Sequence, residues 1–279
     1  GKVEIDHTGS GSGITLSSDG TSLLLDGTAI GGGGGGYPDL YRDNAVNATT
    51  PVASGNNAVA IGYQSLASGQ KSFAAGSGAV ASGLYSVALN DQSTASSTGS
   101  VAIGYQSTAS VSYATVIGGR FGEANERAKV TFAGGNWLGD GSAANLAHQT
   151  GLFNLAGSTT DGTAKALTTY DSTASTDNQI VLPNNSAYAF HGTIVAREKA
   201  SEGTDCAAWK IEGLIRREGS AGTTVLVNSA TTVLDNTPSW GLALSADTTN
   251  GCLKVQVTGV ASTNIRWSGT ITTSELIYA

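Results

Sequence analysis

The chain has 279 residues, of which 39 are glycine, 4 are proline and only 13% are charged, and its formal net charge is −7. This length allows two or three domains, and the composition is typical of elongated β-structure rather than of a helical enzyme. The negative charge argues against nucleic acid or an anionic membrane surface as the principal partner. The sequence contains no run of 18 apolar residues, so no membrane-spanning segment is predicted.

Residues 1–36 are predicted to form a β-rich shaft segment that ends in a glycine joint. Alternating apolar residues in KVEID and in GITLSSDGTSLLLDGTAI indicate short strands, and Asp-Gly dipeptides indicate the turns between them. Gly31–Gly36 are interpreted as a flexible joint rather than a phosphate-binding loop, because no Lys-Ser or Lys-Thr follows. The chain begins at Gly1 and contains no Met, so we expect it to be part of a longer or processed polypeptide.

Residues 37–127 are predicted to form a parallel β-roll built from a 14-residue repeat. Five blocks run from residue 58 to residue 127 without insertion: AVAIGYQSLASGQK, SFAAGSGAVASGLY, SVALNDQSTASSTG, SVAIGYQSTASVSY and ATVIGGRFGEANER. In each block a small residue lies between two others that are mostly apolar, which indicates a strand covered on both faces. The glycine that follows, Gly62 in the first block, indicates a corner, and the Ser-, Thr- and Ala-rich second half predicts a second strand.

A coil of this composition is thin and is expected to need partner chains. Its small side chains remove little apolar area from water at about 25 cal/mol per Å², whereas ordering the backbone costs on the order of 1–2 kcal/mol per residue. One apolar face would fill the coil, and the other would pack against neighbouring copies. A trimer, a dimer or a filament edge would each satisfy this argument.

The segments AVAIGYQSLASG at 58–69 and SVAIGYQSTAS at 100–110 resemble the head repeat of trimeric autotransporter adhesins, the YadA type. The resemblance covers residues 58–127, about a quarter of the chain. It implies a left-handed β-roll in which three chains surround a common axis, and therefore a homotrimer that works as a fibre or adhesive stalk. It implies no catalysis.

Beyond residue 127 the period is expected to end. Residues 128–160 are predicted to be an irregular neck that caps the roll, and residues 161–279 are predicted to be a compact antiparallel β-domain. Its candidate strands are 164–170, 179–182, 187–199, 207–217, 223–228, 240–246, 253–258 and 265–278. The predicted fold class is all-β: a trimeric left-handed parallel β-roll of 14-residue repeats, followed by a jelly-roll-like antiparallel β-sandwich.

Several C-terminal segments are similar to the C-terminal domains of tail-fibre and other virion proteins of tailed phages. These segments are LPNNSAYAFHGTIVARE, AAWKIEGLIRRE, NGCLKVQVTG and NIRWSGTITTSEL, and GITLSSDGTSLLLDGTAIGG near the start resembles parts of the same proteins. With the roll, the resemblance implies a virion fibre or tail-spike component that mediates attachment to the host surface. The alternatives are a capsid head fibre or decoration protein, a bacterial trimeric adhesin and a polysaccharide depolymerase tailspike.

The implied partners are two further copies of the chain, other virion proteins reached through the N-terminal part, and a glycan or protein receptor on the host. No nucleic acid and no membrane insertion are expected. The implied location is the virion, on a tail fibre or on the capsid surface.

No catalytic, cofactor-binding or metal site is predicted, and we expect the chain not to be an enzyme. Two carboxylates could flank a glycosidic bond, as in the pairs Asp205 with Glu212 or Asp140 with Asp161, but any β-protein with 21 acidic residues offers such pairs. Five small coils are also expected to lack the broad groove that an oligosaccharide needs.

The histidines His7, His148 and His191 are too scattered to form a ligand set within one chain. His191 could meet its copies on a threefold axis and hold an anion or a metal, but a histidine on a sheet face is the simpler interpretation.

Trp240 is the candidate receptor contact, because it lies beside a predicted turn and aromatic side chains in exposed loops stack on sugars. Trp209 and Trp267, in predicted strands, are expected in the core. Cys206 and Cys252 are expected to be two small buried residues of the sandwich, with a disulfide between them as the alternative.

Overall fold

The computed structural model describes four short strands between residues 3 and 29, and then residues 50–136, 147–200 and 202–278. The first four strands form an antiparallel meander in the order β1-β2-β3-β4: β1 Val3–Ile5, β2 Ile14–Ser18, β3 Leu23–Leu25 and β4 Thr28–Ala29. They agree with the short strands predicted there. The predicted glycine joint lies outside the described residues.

A parallel β-solenoid of six coils follows, and each coil contributes one strand to each of two sheets. One sheet contains β5 Val52–Ala53, β7 Leu66–Ala67, β9 Val80–Ala81, β11 Thr94–Ala95, β13 Thr108–Ala109 and β15 Glu123–Ala124. The other contains β6 Val59–Ile61, β8 Phe73–Ala75, β10 Val87–Leu89, β12 Val101–Tyr105, β14 Thr115–Arg120 and β16 Val130–Asn136. We call them the β5 sheet and the β6 sheet. The predicted all-β roll is confirmed.

The interior of each coil is filled by the small residue of its strands. Those of the β6 sheet are Ala60, Ala74, Ala88, Ala102 and Val116, and those of the β5 sheet are Ala67, Ala81, Ala95, Ala109 and Ala124, all between 0% and 4% exposed. Side chains alternate across a strand, so the larger apolar residues on either side of them point outward. The coil is therefore only as thick as two facing alanines.

The corners are closed by serine hydroxyls and by left-handed backbone. Ser72 and Ser86 each donate to the carbonyl oxygen three residues earlier, at 2.7 Å. The residues before them, Lys71 and Tyr85, have φ of 55° and 58°. The fifth position of the blocks, predicted to be a corner, is also left-handed at Gly62, Gly76, Asn90, Gly104 and Gly118.

The repeat extends further than its sequence period suggests. In block five the adjacent glycines Gly118 and Gly119 both have positive φ, and the strand pairing shifts by one residue there. Ile117 therefore pairs with Phe132, fifteen residues on, instead of fourteen. The repeat was expected to end at residue 127. Because of this one-residue insertion, the sixth coil does not show in the sequence period.

The segment 128–160, predicted to be an irregular neck, contains β16 and a long strand, β17 Ala147–Thr159. Strand β17 runs antiparallel to β16 and extends the β6 sheet into the C-terminal part. Its inward residues Phe153 and Leu155 are buried and alternate with exposed Asn154, which is the period-two pattern of a strand. The predicted boundaries at residues 127 and 160 cut across one sheet, so the division of residues 1–279 into four domains stays a prediction.

All eight strands predicted after residue 161 are present. They are β18 Lys165–Ala166, β19 Ile180–Val181, β20 Ser186–Glu198, β21 Cys206–Arg217, β22 Val225–Asp235, β23 Gly241–Asp247, β24 Cys252–Thr258 and β25 Ile265–Ile277. The long strands join β17 in the order β22-β21-β20-β25-β17, which makes one sheet of 11 strands with the β6 sheet. Strands β18, β19, β23 and β24 form a small second sheet, so the two layers are those of a sandwich, but the long sheet is shared with the roll.

The core of the C-terminal part lies between these two sheets and contains three tryptophans. Trp209 and Trp267 stack with ring centroids 5.8 Å apart, and Trp240 lies against Trp267 at the same separation. The indole nitrogen of Trp267 donates to the Thr159 hydroxyl at 3.0 Å. The predicted burial of Trp209 and Trp267 is confirmed.

The close stacking of coils predicts that alanine at Gly83 destabilises the protein. A Cβ at Gly83 would lie 2.0 Å from the Ser97 carbonyl oxygen of the next coil, whereas a Cβ at Gly219 would meet open space. Overpacking of this kind costs about 1–3 kcal/mol. We expect Gly83→Ala to lower the thermal midpoint by several degrees, measured by circular dichroism, and the matched control Gly219→Ala to leave it unchanged. Equal midpoints for both variants would contradict the stacking.

Candidate functional site

The outward face of the β6 sheet carries two parallel rows of side chains that are apolar except at Thr115, and we call their apolar members the outer stripe. Its members are Val59, Ile61, Phe73, Ala75, Val87, Leu89, Val101, Ile103, Ile117, Val130 and Phe132. Parallel pairing places each residue beside its equivalent in the next coil, as Val87 pairs with Val101. Ile117 is 41% exposed and Phe132 is 49% exposed. No second sheet of the described residues lies over the outer stripe.

The same face becomes polar where the sheet enters the C-terminal part. Val130 pairs with Leu152 of β17, Leu152 pairs with Thr272 of β25, and Thr272 pairs with His191 of β20. The apolar character thus ends at Leu152. The outer stripe is a property of the solenoid alone.

The outward face of the β5 sheet differs from the outer stripe. Each strand presents one outward residue, and these are Val52, Leu66, Val80, Thr94, Thr108 and Glu123 in chain order. Towards the C-terminal part the residues of this row change from apolar to threonine and then to glutamate. Of the two faces, the outer stripe is therefore the one suited to packing against another apolar surface.

A buried ionic cluster joins the last coil to the long sheet. Lys129 Nζ lies 3.2 Å from a carboxylate oxygen of Glu126 and 2.9 Å from one of Glu275, and the three side chains are fully buried. The Gln149 amide donates to Glu275 at 2.6 Å. The cluster therefore ties β25 and β17 to the turn that precedes β16.

Burial governs the protonation of this cluster. Desolvation raises the pKa of Glu126 from 4.5 to about 7, and the charge of Lys129 opposes this rise. Burial disfavours the charged form of Lys129 as well, but the two carboxylates beside it raise its pKa above the ordinary value. Desolvation also raises the pKa of Glu123. The Lys129, Glu126 and Glu275 side chains have no solvent exposure, so a substrate cannot reach the carboxylates of Glu126 and Glu275 in this conformation. Their contacts with Lys129 give them a structural role.

Sequence reasoning missed the cluster. A signal is present in the chain: Glu123, Glu126 and Lys129 stand at intervals of three where earlier coils carry small or neutral residues. Glu275 is 146 residues from Lys129, and only the strand pairing of β25 shows that they meet.

Trp240, the candidate receptor contact, is 5% exposed and packs in the core against Trp267. Its backbone N–H donates to the Asn236 side chain at 2.8 Å, and its carbonyl accepts from the same amide at 2.7 Å. A role in binding a receptor stays a prediction for this residue. A ring so deeply buried offers almost no surface for stacking on a sugar.

Within the described part of the chain, the carboxylates and histidines considered as sites are not brought together. Asp205 directly precedes Cys206, the first residue of β21, and Glu212 lies six residues further along that strand. The strand between Cys206 and Glu212 spans about 20 Å, which separates the two carboxylates. Asp140 and His7 lie outside the described residues. Asp161 accepts a bond from the Thr163 N–H at 2.7 Å in an exposed turn. His191 is exposed on the outer face of β20.

Both cysteines are unpaired in the structure, and they differ in environment. Cys206 is exposed at the start of β21, whereas Cys252 is buried at the start of β24. Desolvation raises the pKa of the Cys252 thiol to about 12. Cys206 is therefore the reactive thiol of the two.

The described ranges contain neither a metal-binding group of side chains nor a membrane-spanning helix. No group of three or more His, Cys, Asp or Glu side chains in this part of the chain is arranged to hold a metal ion. No helix among the same residues is long and apolar enough to cross a membrane.

Comparison with known proteins identifies the repeat. Residues 53–79, 67–89 and 95–120 match the YadA head domain repeat, which confirms the resemblance noted in the sequence. No curated protein matches the chain.

The chain is also similar to solved phage tailspikes. The tailspike gp49 of Acinetobacter baumannii bacteriophage Fri1, a capsular polysaccharide depolymerase, is 9% identical, with a TM-score of 0.25 over 74% of this chain and 37% of that one. The Acinetobacter baumannii phage AM24 tailspike is 11% identical, with a TM-score of 0.24 over 59% and 31%. The Acinetobacter phage vB_ApiP_P1 tailspike is 12% identical, with a TM-score of 0.19 over 75% and 42%. The chain thus spans about a third of the length of these tailspikes.

These matches correct one expectation. From the sequence, we expected that the chain is not an enzyme, because five small coils would lack a broad groove for an oligosaccharide. That exclusion is wrong, because a tailspike to which the chain is similar is a capsular polysaccharide depolymerase.

The buried position of Glu126 predicts a pH-dependent stability. A carboxyl whose pKa is raised on folding stabilises the fold fully below its unfolded value near 4.5, and this contribution is lost as the pH rises through about 7. We expect the thermal midpoint to fall between pH 5 and pH 8, and Glu126→Gln to reduce that fall. Glu212→Gln, which removes an exposed carboxyl, is the control and should retain the wild-type slope. An unchanged slope in Glu126→Gln would refute the assignment.

Proposed function

We propose that the chain is a fibre or tailspike component of a phage virion, in which copies associate along the solenoid and the C-terminal part attaches to the host surface. The observation that carries this proposal is the outer stripe. It lies in the coils that match the YadA head domain repeat, which supports an adhesin-like role.

Association through the outer stripe would remove exposed apolar surface from water. Six coils are separated by five spacings of roughly 4.8 Å, so the outer stripe runs along about 24 Å of the solenoid. Soluble monomers rarely expose a contiguous apolar patch of this extent. The alanine-filled interior contributes little burial of its own, so covering the outer stripe is the largest available source of stabilisation.

A homotrimer is proposed on the resemblance of the repeat to trimeric adhesin heads, because the energetic argument alone would also accept a dimer. Three outer stripes meeting around an axis would bury Val87, Val101 and their neighbours against each other. The N-terminal strands β1–β4 would lie toward the particle and contact other virion proteins. The C-terminal part would then be the end presented to a receptor on the host.

Association through the outer stripe predicts an asymmetry between two valines. Val101 lies in the outer stripe, and Val80 lies on the outward face of the β5 sheet, and both are half-buried in the single chain. We expect Val101→Asp to dissociate the assembly to chains of 27.9 kDa, because it would place a charge in the apolar contact. Val80→Asp is expected to leave the assembly intact. Light scattering after size exclusion measures both, and the reverse pattern would place the contact on the β5 sheet.

The proposed attachment predicts binding to cells that depends on assembly. Fluorescently labelled protein is incubated with a panel of encapsulated and acapsular bacterial strains, and release of reducing sugar is measured in the same samples. We expect saturable binding to at least one strain and at least a tenfold loss for the dissociated Val101→Asp protein, because several copies bind together. Saccharide release would make the attachment that of a depolymerase. Absence of binding to every strain would contradict the proposal.

A further inference from the structure

A groove lined mainly by polar and charged residues lies at the ends of three long strands of the C-terminal sheet. Its volume is about 580 Å³, within the range of ligand-binding sites. The residues that line it are Ser158, Thr159, Thr160, Arg197, Glu198, Lys199, Asn264, Ile265 and Arg266. They belong to β17, β20, β25 and the adjoining turns.

Two arginines face each other in this groove. Arg197 of β20 and Arg266 of β25 are directly opposed partners in the antiparallel register, and both are exposed on the outer face. Like charges at opposed positions destabilise a sheet. Among the described residues, neither guanidinium forms an ion pair or a hydrogen bond. A chain with a net charge of −7 therefore leaves two adjacent cations without an acidic partner.

The acidic residues nearby are directed to other groups. Glu202 accepts bonds from the backbone and side chain of Asn264 at 2.9 Å and 2.6 Å. Asp171 pairs with Lys165 at 2.6 Å and accepts the Ser158 hydroxyl at 2.8 Å. Glu198 also lines the groove, but it follows Arg197 directly in β20, so its side chain leaves the strand on the opposite face from that of Arg197. An anion from outside would thus find both guanidinium groups available.

The groove is also far from the surface proposed for association. Ser158, which pairs with Arg266, lies six residues along β17 from Leu152, the end of the outer stripe. At about 3.3 Å per residue this separation is about 20 Å. An assembly that covers the outer stripe would leave the arginine pair open to solvent.

We propose that this groove binds an acidic sugar of a surface glycan, with the sugar carboxylate between Arg197 and Arg266. The inference rests on the proposed attachment function and names the chemical class of the receptor. Guanidinium groups recognise carboxylates through paired hydrogen bonds, and Thr160 and Asn264 supply polar groups for the sugar hydroxyls.

The structure supplies a reporter for this site. Cys206 is the register partner of Arg197 across β20 and β21, and it is exposed, whereas Cys252 is buried. A ligand held by Arg197 would lie beside the Cys206 thiol and hinder access to it. Its reaction with a thiol reagent should slow in proportion to occupancy, without any label in the groove.

The test uses purified full chain and an oligogalacturonate hexamer as the probe. Binding is followed by calorimetry and by the rate of thiol modification, with neutral dextran oligosaccharide and inorganic phosphate as comparison ligands. We expect at least tenfold weaker binding for the double variant Arg197→Gln with Arg266→Gln, and weaker binding to wild type at high salt. Arg216→Gln is the matched control, because Arg216 is an exposed arginine on β21 that pairs with Glu218, and it should bind like wild type. Circular dichroism verifies that each variant is folded.

The outcomes separate the two proposals. Loss of oligogalacturonate binding in the double variant, with loss of cell binding, supports the site and its role. Cell binding that is unchanged in the double variant overturns the site while attachment stands. No oligogalacturonate binding by wild type, or binding of phosphate with equal affinity, overturns the acidic sugar as the ligand. A change of assembly mass in the double variant would show that the arginines bind an acidic side chain of another copy, which also overturns it.

Discussion

The thickness of the solenoid coil is the constraint on which the rest of the structure depends. Small residues, nearly all of them alanine, fill the interior between the sheets. Most of the larger apolar residues of the repeat strands therefore point outward, where no second sheet of the described residues covers them. The same geometry that makes the coil regular makes it dependent on neighbours, because the interior alone removes too little apolar surface from water.

The C-terminal part ends the solenoid by extending one of its sheets. Strand β17 pairs with the last coil on one side and with β25 on the other, so the β6 sheet passes into the long antiparallel sheet without an edge. This covers one edge that would otherwise be open to pairing with other chains. The ionic cluster of Glu126, Lys129 and Glu275 lies at this junction, and a buried charge without its partners would cost several kcal/mol. Loss of a charged partner is therefore expected to destabilise the junction.

Much of the fold could be predicted, because the repeat places the same residue types at the same points of every coil. Strand positions follow from a period of two, and the corner glycines follow from their regular spacing. The left-handed backbone at Gln64, Lys71 and Tyr85 could not be predicted, because these residue types do not favour it and the stacked serine turns impose it. The sixth coil was missed because a single inserted residue near Gly118 breaks the period.

The functional residues were less predictable than the fold, because they meet only through long-range pairing. Arg197 and Arg266 are separated by most of the C-terminal part and become neighbours through the register of β20 with β25. Trp240 stands near a turn in the sequence, yet the tryptophan cluster draws it inward. Sedimentation of the purified protein at dilute concentration shows whether other copies cover the outer stripe. We expect one folded species near 84 kDa, three chains of 27.9 kDa, and a stable folded monomer would rule out the association.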